Sequence, residues 1–212
     1  MKKTLFTFMA LAMAFAVTSC QSEEELPLEP TDPPTNGPMV TTGTAKAKIR
    51  ESEVDVNWVQ LWAGGPKFAE KNVGASSVTD QGIEMTFADA NKAGAEYVWG
   101  ANWCTPSKGQ MDELLKAATS GGSTKVDCNY IQENGVYGFK FTGKETGYTD
   151  NSVFFPAQDG TSSFGFAIYW SASANGSLAW FMLLSYFFGN WNSYWISNFQ
   201  DDYYLVRPVL QN

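Results

Sequence analysis

The chain has 212 residues, with 14 Lys and Arg against 22 Asp and Glu, a net charge of −8, and no histidine. That balance speaks against a nucleic-acid partner, because neutralising phosphates takes clustered cations. The lack of imidazole rules out Ser-His-Asp and Cys-His catalysis and any zinc site built on histidine.

At the N-terminus, Lys2 and Lys3 precede an apolar run from Leu5 to Val17, and Thr18 and Ser19 lead into Cys20. The run is shorter than the roughly 20 apolar residues a membrane-spanning helix needs, so residues 1–19 read as a signal peptide. A small residue directly before a Cys resembles the lipobox of a bacterial lipoprotein, which implies acylation at Cys20 and a lipid anchor in the membrane. An ordinary secretory signal is the alternative. Gln21, Ser22, Glu23, Glu24 and Glu25 are similar to the acidic tag that sends lipoproteins of Bacteroidetes-type bacteria to the outside of the outer membrane; a solvated linker is the plainer reading of the same residues. Pro27, Pro30, Pro33, Pro34 and Pro38 favour extended, solvated backbone. Residues 20–50 are therefore expected to form an acidic, Pro-rich tether, and residues 51–212 one domain with a sizeable core.

Along that domain, Val54 to Leu61 alternates in part between apolar and polar residues, as a half-buried strand does, and Gly64-Gly65-Pro66 ends it. Thr86 to Tyr97 has Phe87, Ala90, Ala93 and Ala95 at mostly helical spacing, weakened by Gly94. A second helix is signalled by Thr105 or Ser107 as cap, Pro106 in the first turn, and Ser107-x-x-Gln110 in the form of a capping box. Met111, Leu114, Leu115 and Ala118 form its apolar stripe, and Gly121-Gly122 stops it. Beyond Cys128 the pattern predicts short strands over 137–142, 152–156, 167–171, 179–188, 191–199 and 203–209, punctuated by Asn134-Gly135, Asp159-Gly160, Asn175-Gly176 and Gly189-Asn190. Helices followed by an antiparallel meander imply an α+β domain.

The remaining chemistry is sparse. Asp112-Glu113 and Asp201-Asp202 are adjacent acids, which diverge on a helix or a strand and do not converge on one substrate. Cys104 and Cys128 remain once Cys20 is assigned to lipidation. In an extracytoplasmic compartment they form either a disulfide, closing a loop of roughly 25 residues for about 3 kcal/mol, or two buried thiols. No metal or cofactor site is expected.

An ordered set of short motifs spans most of residues 54–209. It runs Asn72-Val73-Gly74-Ala75-Ser76, Trp99-Gly100, Trp103-x-Thr105-Pro106, Asn134-Gly135-Val136-x-Gly138-Phe139-Lys140, Phe154-Phe155-Pro156-Ala157, Tyr169-Trp170-Ser171 and Val206-Arg207-Pro208-Val209. Together these resemble the Fibrobacter succinogenes major paralogous domain, abundant in lipoproteins of gut Bacteroidales and similar to the C-type lectin-like fold. The resemblance implies an α+β domain with two helices and a largely antiparallel, aromatic-rich sheet. The family usually places Arg where this chain has Cys104, a departure that favours a Cys104 to Cys128 bridge. Trp191-Asn192-Ser193 lacks the carboxylate of the calcium-binding lectin signatures, so calcium-dependent sugar binding is not expected.

Fifteen aromatic residues crowd between Phe164 and Tyr204, inside a window free of Lys and Arg from Glu145 to Val206. If Trp180, Met182 and Leu184 face the interior of a strand, Phe181, Leu183 and Ser185 face the other way. Tyr186, Phe187, Asn192, Ser193, Tyr194, Asn198, Asp201, Asp202 and Tyr203 continue the candidate ligand surface; at any of these positions a core role is the competing reading. Tyr, Ser and Asn suit recognition, offering amphipathic area at low entropy cost. Some members of the resembled group are variable proteins of diversity-generating retroelements, which implies a face whose residues change without touching the core. The expected function is a non-catalytic adhesin or receptor-like module for an extracellular protein or glycan. The alternative is a structural or fimbria-like envelope component with an unpaired strand edge. A formylglycine-generating-type enzyme of the same fold would need reactive cysteines after Cys128, and none follows.

Overall fold

The computed structural model describes residues 40–49, 52–91, 99–100, 102–119 and 124–211. The signal segment, Cys20 and the Pro-rich stretch before residue 40 lie outside the described residues, as do residues 92–97 of the first predicted helix and the Gly121-Gly122 stop. In chain order the elements are β1 (Thr42–Ile49), β2 (Ser52–Gln60), β3 (Lys67–Ala69), α1 (Phe87–Asn91), β4 (Trp103–Cys104), α2 (Lys108–Thr119), β5 (Val126–Glu133), β6 (Val136–Gly143), β7 (Ser152–Pro156), β8 (Asp159–Gly160), β9 (Phe164–Asn175), β10 (Leu178–Phe187), β11 (Asn190–Phe199) and β12 (Val209–Leu210). Three antiparallel sheets result, in the orders β1-β2-β3-β12-β4, β11-β10-β9-β8 and β5-β6-β7. With the two helices this is an α+β fold.

One sequence boundary is corrected. Thr42–Ile49 does not belong to a tether, because it pairs with β2 along its whole length, from Thr42 opposite Val59 to Ile49 opposite Ser52. Its pattern of Thr, Ala and Lys is weakly apolar, and only the partner strand makes it a strand; Ala47 is the buried contact. The predicted strand over 203–209 is also broken up. Pro208 has no N–H to give a ladder, and the chain instead threads between sheets. Met85 and Tyr204 exchange two backbone hydrogen bonds of 3.0 and 3.1 Å, Trp170 N donates to Leu205 O, Val73 N to Val206 O, and Ala69 N to Pro208 O.

The second helix forms as its signals require. Ser107 Oγ accepts from Gln110 N at 3.2 Å and Gln110 Oε1 accepts from Ser107 N at 2.8 Å, the reciprocal pair of a capping box. Met111, Leu114, Leu115 and Ala117 are buried on one side of α2. Two-residue turns close the hairpins: Asn134 and Gly135, at φ 50° and 85°, join β5 to β6, where the left-handed region suits Asn-Gly.

Two apolar clusters hold the sheets together. The larger gathers Phe68 of β3, Met111 and Leu114 of α2, Phe139 and Phe141 of β6, Phe155 of β7, Tyr169 of β9, and Met182 and Leu184 of β10. The second gathers Val56, Trp58, Met85, Trp99, Trp103, Trp170, Phe181 and Val206. Arg207 is buried where the three sheets meet. Its Nη1 donates to Ala69 O at 3.0 Å, its Nη2 to Phe154 O at 2.6 Å, and its guanidinium lies 4.9 Å from the Phe155 ring centre. Burial lowers its pKa to about 10, opposed by the neighbouring Tyr169 hydroxyl. The terminal Val-Arg-Pro-Val motif is thus a structural staple.

Candidate functional site

β9, β10 and β11 lie side by side with registers that define two faces. On the face turned to the larger cluster stand Trp180, Met182, Leu184 and Tyr186 of β10, with Trp191 and Trp195 of β11 packed beside them. Here α2 contributes polar anchors: Asp112 accepts a hydrogen bond from Trp195 Nε1, and Lys108 Nζ sits 4.4 Å from the Trp195 ring and 3.1 Å from Asp112 Oδ2. Tyr186 stacks on Tyr130 at 4.2 Å and 17°. Tyr130 in turn donates to Phe164 O at 2.9 Å, and burial, its largest cause, pushes its pKa up to about 12. This approach requires Gly165, since a Cβ there would lie 2.0 Å from the Tyr130 oxygen.

The opposite face carries four cross-strand rows. They read Phe164–Phe187–Asn190, Phe166–Ser185–Asn192, Ile168–Leu183–Tyr194 and Trp170–Phe181–Ile196. Tyr204 and Phe87 close over Trp170 and Phe181 in the last row. Ile168 and Leu183 of the third row are half-buried against the second apolar cluster, and among the described residues the cover thins out towards Phe164, Phe187 and Tyr194. Phe187 is 60% exposed and Tyr194 50% exposed. At the tip, Phe164 meets Phe166 at 5.9 Å and Phe187 at 6.5 Å, and Phe187 meets Phe188 at 4.6 Å, giving a continuous ridge of four rings.

The ridge ends on a strained residue. Phe188 and Gly189 form the two-residue turn between β10 and β11, at φ 42° and 92°. Gly189 suits that backbone, whereas a bulky side chain at positive φ is an outlier. Phe188 is nevertheless there, 71% exposed, so neither local propensity nor burial accounts for it.

The structure sorts the residues that the sequence nominates. Leu183, Ser185, Phe187, Asn192 and Tyr194 share the open face. Phe181 points to the same side but is 5% exposed, since the segment ending in Tyr204 folds over it; it is core. Tyr186 and Ser193 face the interior side, the consequence of strand alternation, and leave the site. Asn198 is taken up by a hydrogen bond from its Nδ2 to Tyr204 Oη at 3.1 Å. Asp201, Asp202 and Tyr203 follow β11 in the turn region, where Asp201 and Tyr203 are exposed and Asp202 half-buried. Phe164, Phe166, Ile168, Ile196 and Phe188 escape sequence reasoning. The period-2 pattern of 164–168 is the signal the sequence holds for the first three.

The Cys104 to Cys128 bridge is not formed: Cys128 is a free thiol on β5, with its pKa raised by burial, while Cys104 lies on β4 of another sheet. Asp112 is engaged by Lys108 and Trp195 while Glu113 points to solvent, so that pair builds no acid-base centre. Among the described residues no group of three or more Cys, Asp or Glu is placed to hold a metal ion, and no helix is long and apolar enough to cross a membrane.

Taken together, these geometries define an open, uncharged aromatic sheet face carried on an α+β frame. Comparison of the chain with protein-family models, with curated proteins and with solved structures gives no match.

Proposed function

We propose that the chain is a cell-surface lipoprotein, anchored in the outer membrane through Cys20, whose C-type lectin-like domain is a non-catalytic ligand-binding module of the major paralogous type. The ligand is an extracellular protein or glycan, and the site is the open face of β9, β10 and β11. The observation that carries this reading is the ridge of Phe166, Phe164, Phe187 and Phe188, half-buried at Phe166, exposed at the other three rings and ending in a Phe at positive φ.

Exposed rings on this scale are costly to display, since each keeps apolar area in water that burial would remove. Their neighbours are Ser185, Asn190 and Asn192, which supply neutral donors and acceptors beside the rings. Rigid aromatic anchors flanked by short polar side chains are the pairing that recognition loops use elsewhere. No charged residue lies between Gly160 and Gln200, so the ligand region that docks here carries little charge of its own. The lack of any charge in the ridge also weighs against an acid-base or anion-handling role.

A binding screen of the chain against glycans and host extracellular proteins, with and without calcium, tests the proposal. We expect a saturable, calcium-independent hit that Phe187→Ala and Phe188→Ala each weaken at least tenfold without lowering the melting temperature. Binding untouched by both substitutions would remove this face from the site.

A further inference from the structure

The sheet that carries the aromatic face ends on β11, and among the described residues no strand pairs with its outer side. β11 is 10 residues long and contains no charged residue, no Pro and no Gly between Asn190 and Phe199. Edges of this kind invite pairing, and proteins blunt them with charge, Pro or shortness. The other sheet edges among the described residues are blunted. β1 carries Lys46 and Lys48, β5 carries Asp127 and Glu133, β7 ends on Pro156, and β4 and β8 are 2 residues each. The contrast singles out β11 as an edge with a use.

We propose that β11 pairs antiparallel with β11 of a second copy of this chain, about a two-fold axis through Tyr194, joining two four-stranded sheets into one of eight strands. Charge favours a copy of the chain as occupant here. Two molecules of net charge −8 repel each other except where they are neutral, and β11 sits inside the uncharged stretch from Gly160 to Gln200.

Side-chain size separates the registers centred on Ser193, Tyr194 and Trp195. Residues directly opposed in an antiparallel pair share a face and pack against each other. With Tyr194 on the axis, Trp191 faces Ser197 of the second copy and Ser193 faces Trp195 of the second copy on the interior face, so each indole meets a small hydroxymethyl group. Moving the axis to Trp195 sets the two Trp195 rings against each other and Trp191 against Phe199. Moving it to Ser193 sets Trp191 against Trp195. Only the Tyr194 register of these three gives every indole a small neighbour. On the open face it places Asn192 beside Ile196 and Asn190 beside Asn198.

A two-fold interface of this kind closes on itself, so it yields a dimer and not a fibre. The axis stands perpendicular to the sheet and leaves both open aromatic faces on the same side of the assembly. Such a pair presents two sites to one surface and gains avidity from it. The dimer uses the backbone edge of β11 and does not depend on what the face binds.

The test measures the mass of the full chain by light scattering over a range of concentrations, in mild detergent on account of the apolar run before Cys20. It is coupled to oxidative cross-linking of single introduced cysteines. The expected result is twice the chain mass, a self-cross-link for Tyr194→Cys, and none for Ile196→Cys, whose two copies lie about 13 Å apart along the strands. Tyr194→Lys, which sets two cations together on the axis, should raise the dissociation constant at least tenfold with its melting temperature kept. Tyr203→Lys should leave the dimer intact. A monomer at every concentration that also fails to cross-link at 194 overturns the proposal, and so does a dimer that survives Tyr194→Lys or cross-links at 196 and not at 194.

Discussion

Phe188 shows how a single residue can work against its own fold. Its φ of 42° belongs to a turn that Asn or Gly would occupy without strain, and its ring is left in water beside Phe187. Phe188→Gly should therefore raise stability by about 1 kcal/mol, read from urea denaturation, because it removes both the left-handed strain and an exposed ring. A destabilised Phe188→Gly variant would show instead that the ring contacts hold the hairpin. Gly165 is the opposite case at this scale: the absence of a side chain there lets the Tyr130 hydroxyl reach the backbone of β9. A glycine inside a strand signals such an approach in sequence, but not which ring will fill the gap.

Among the elements, α2 was the most legible, because its cap, stripe and first turn are local. The capping box of Ser107 and Gln110 satisfies two N–H groups that the helix start would otherwise leave free. Ser107→Ala should cost about 1 kcal/mol of stability, and a thermal melt of the variant checks it. β7 forms over Ser152–Pro156 as predicted, and β2, β6, β10 and β11 lie within one or two residues of expectation, since alternation and turn residues mark their ends. β1 and β5 were missed for a common reason. Thr42–Ile49 and Val126–Glu133 have modest apolar content, and each becomes a strand by pairing with a neighbour, β2 or β6. Propensity alone does not report that partner.

For the whole molecule, the staple is Arg207. It reaches Ala69 of the five-stranded sheet, Phe154 and Phe155 of the three-stranded sheet and Tyr169 of the four-stranded sheet from a fully buried position. Arg207→Ala should destabilise the fold by about 3 kcal/mol or more, since two buried carbonyls lose charge-assisted donors and the guanidinium volume becomes a cavity. Chemical denaturation tests this, and a loss below about 1 kcal/mol would mean that the sheets hold together without it. Composition and charge, the helix cap, the turn residues and the alternation of β10 were determined by the sequence alone, because each depends on neighbours a few residues away. Which side of β10 stays open was decided only in three dimensions. Tyr204 and Phe87, distant in sequence, cover Trp170 and Phe181 but stop short of Phe187. The same strand face is therefore core at one end and candidate site at the other, a division set by where the chain returns and not by the residues on the strand.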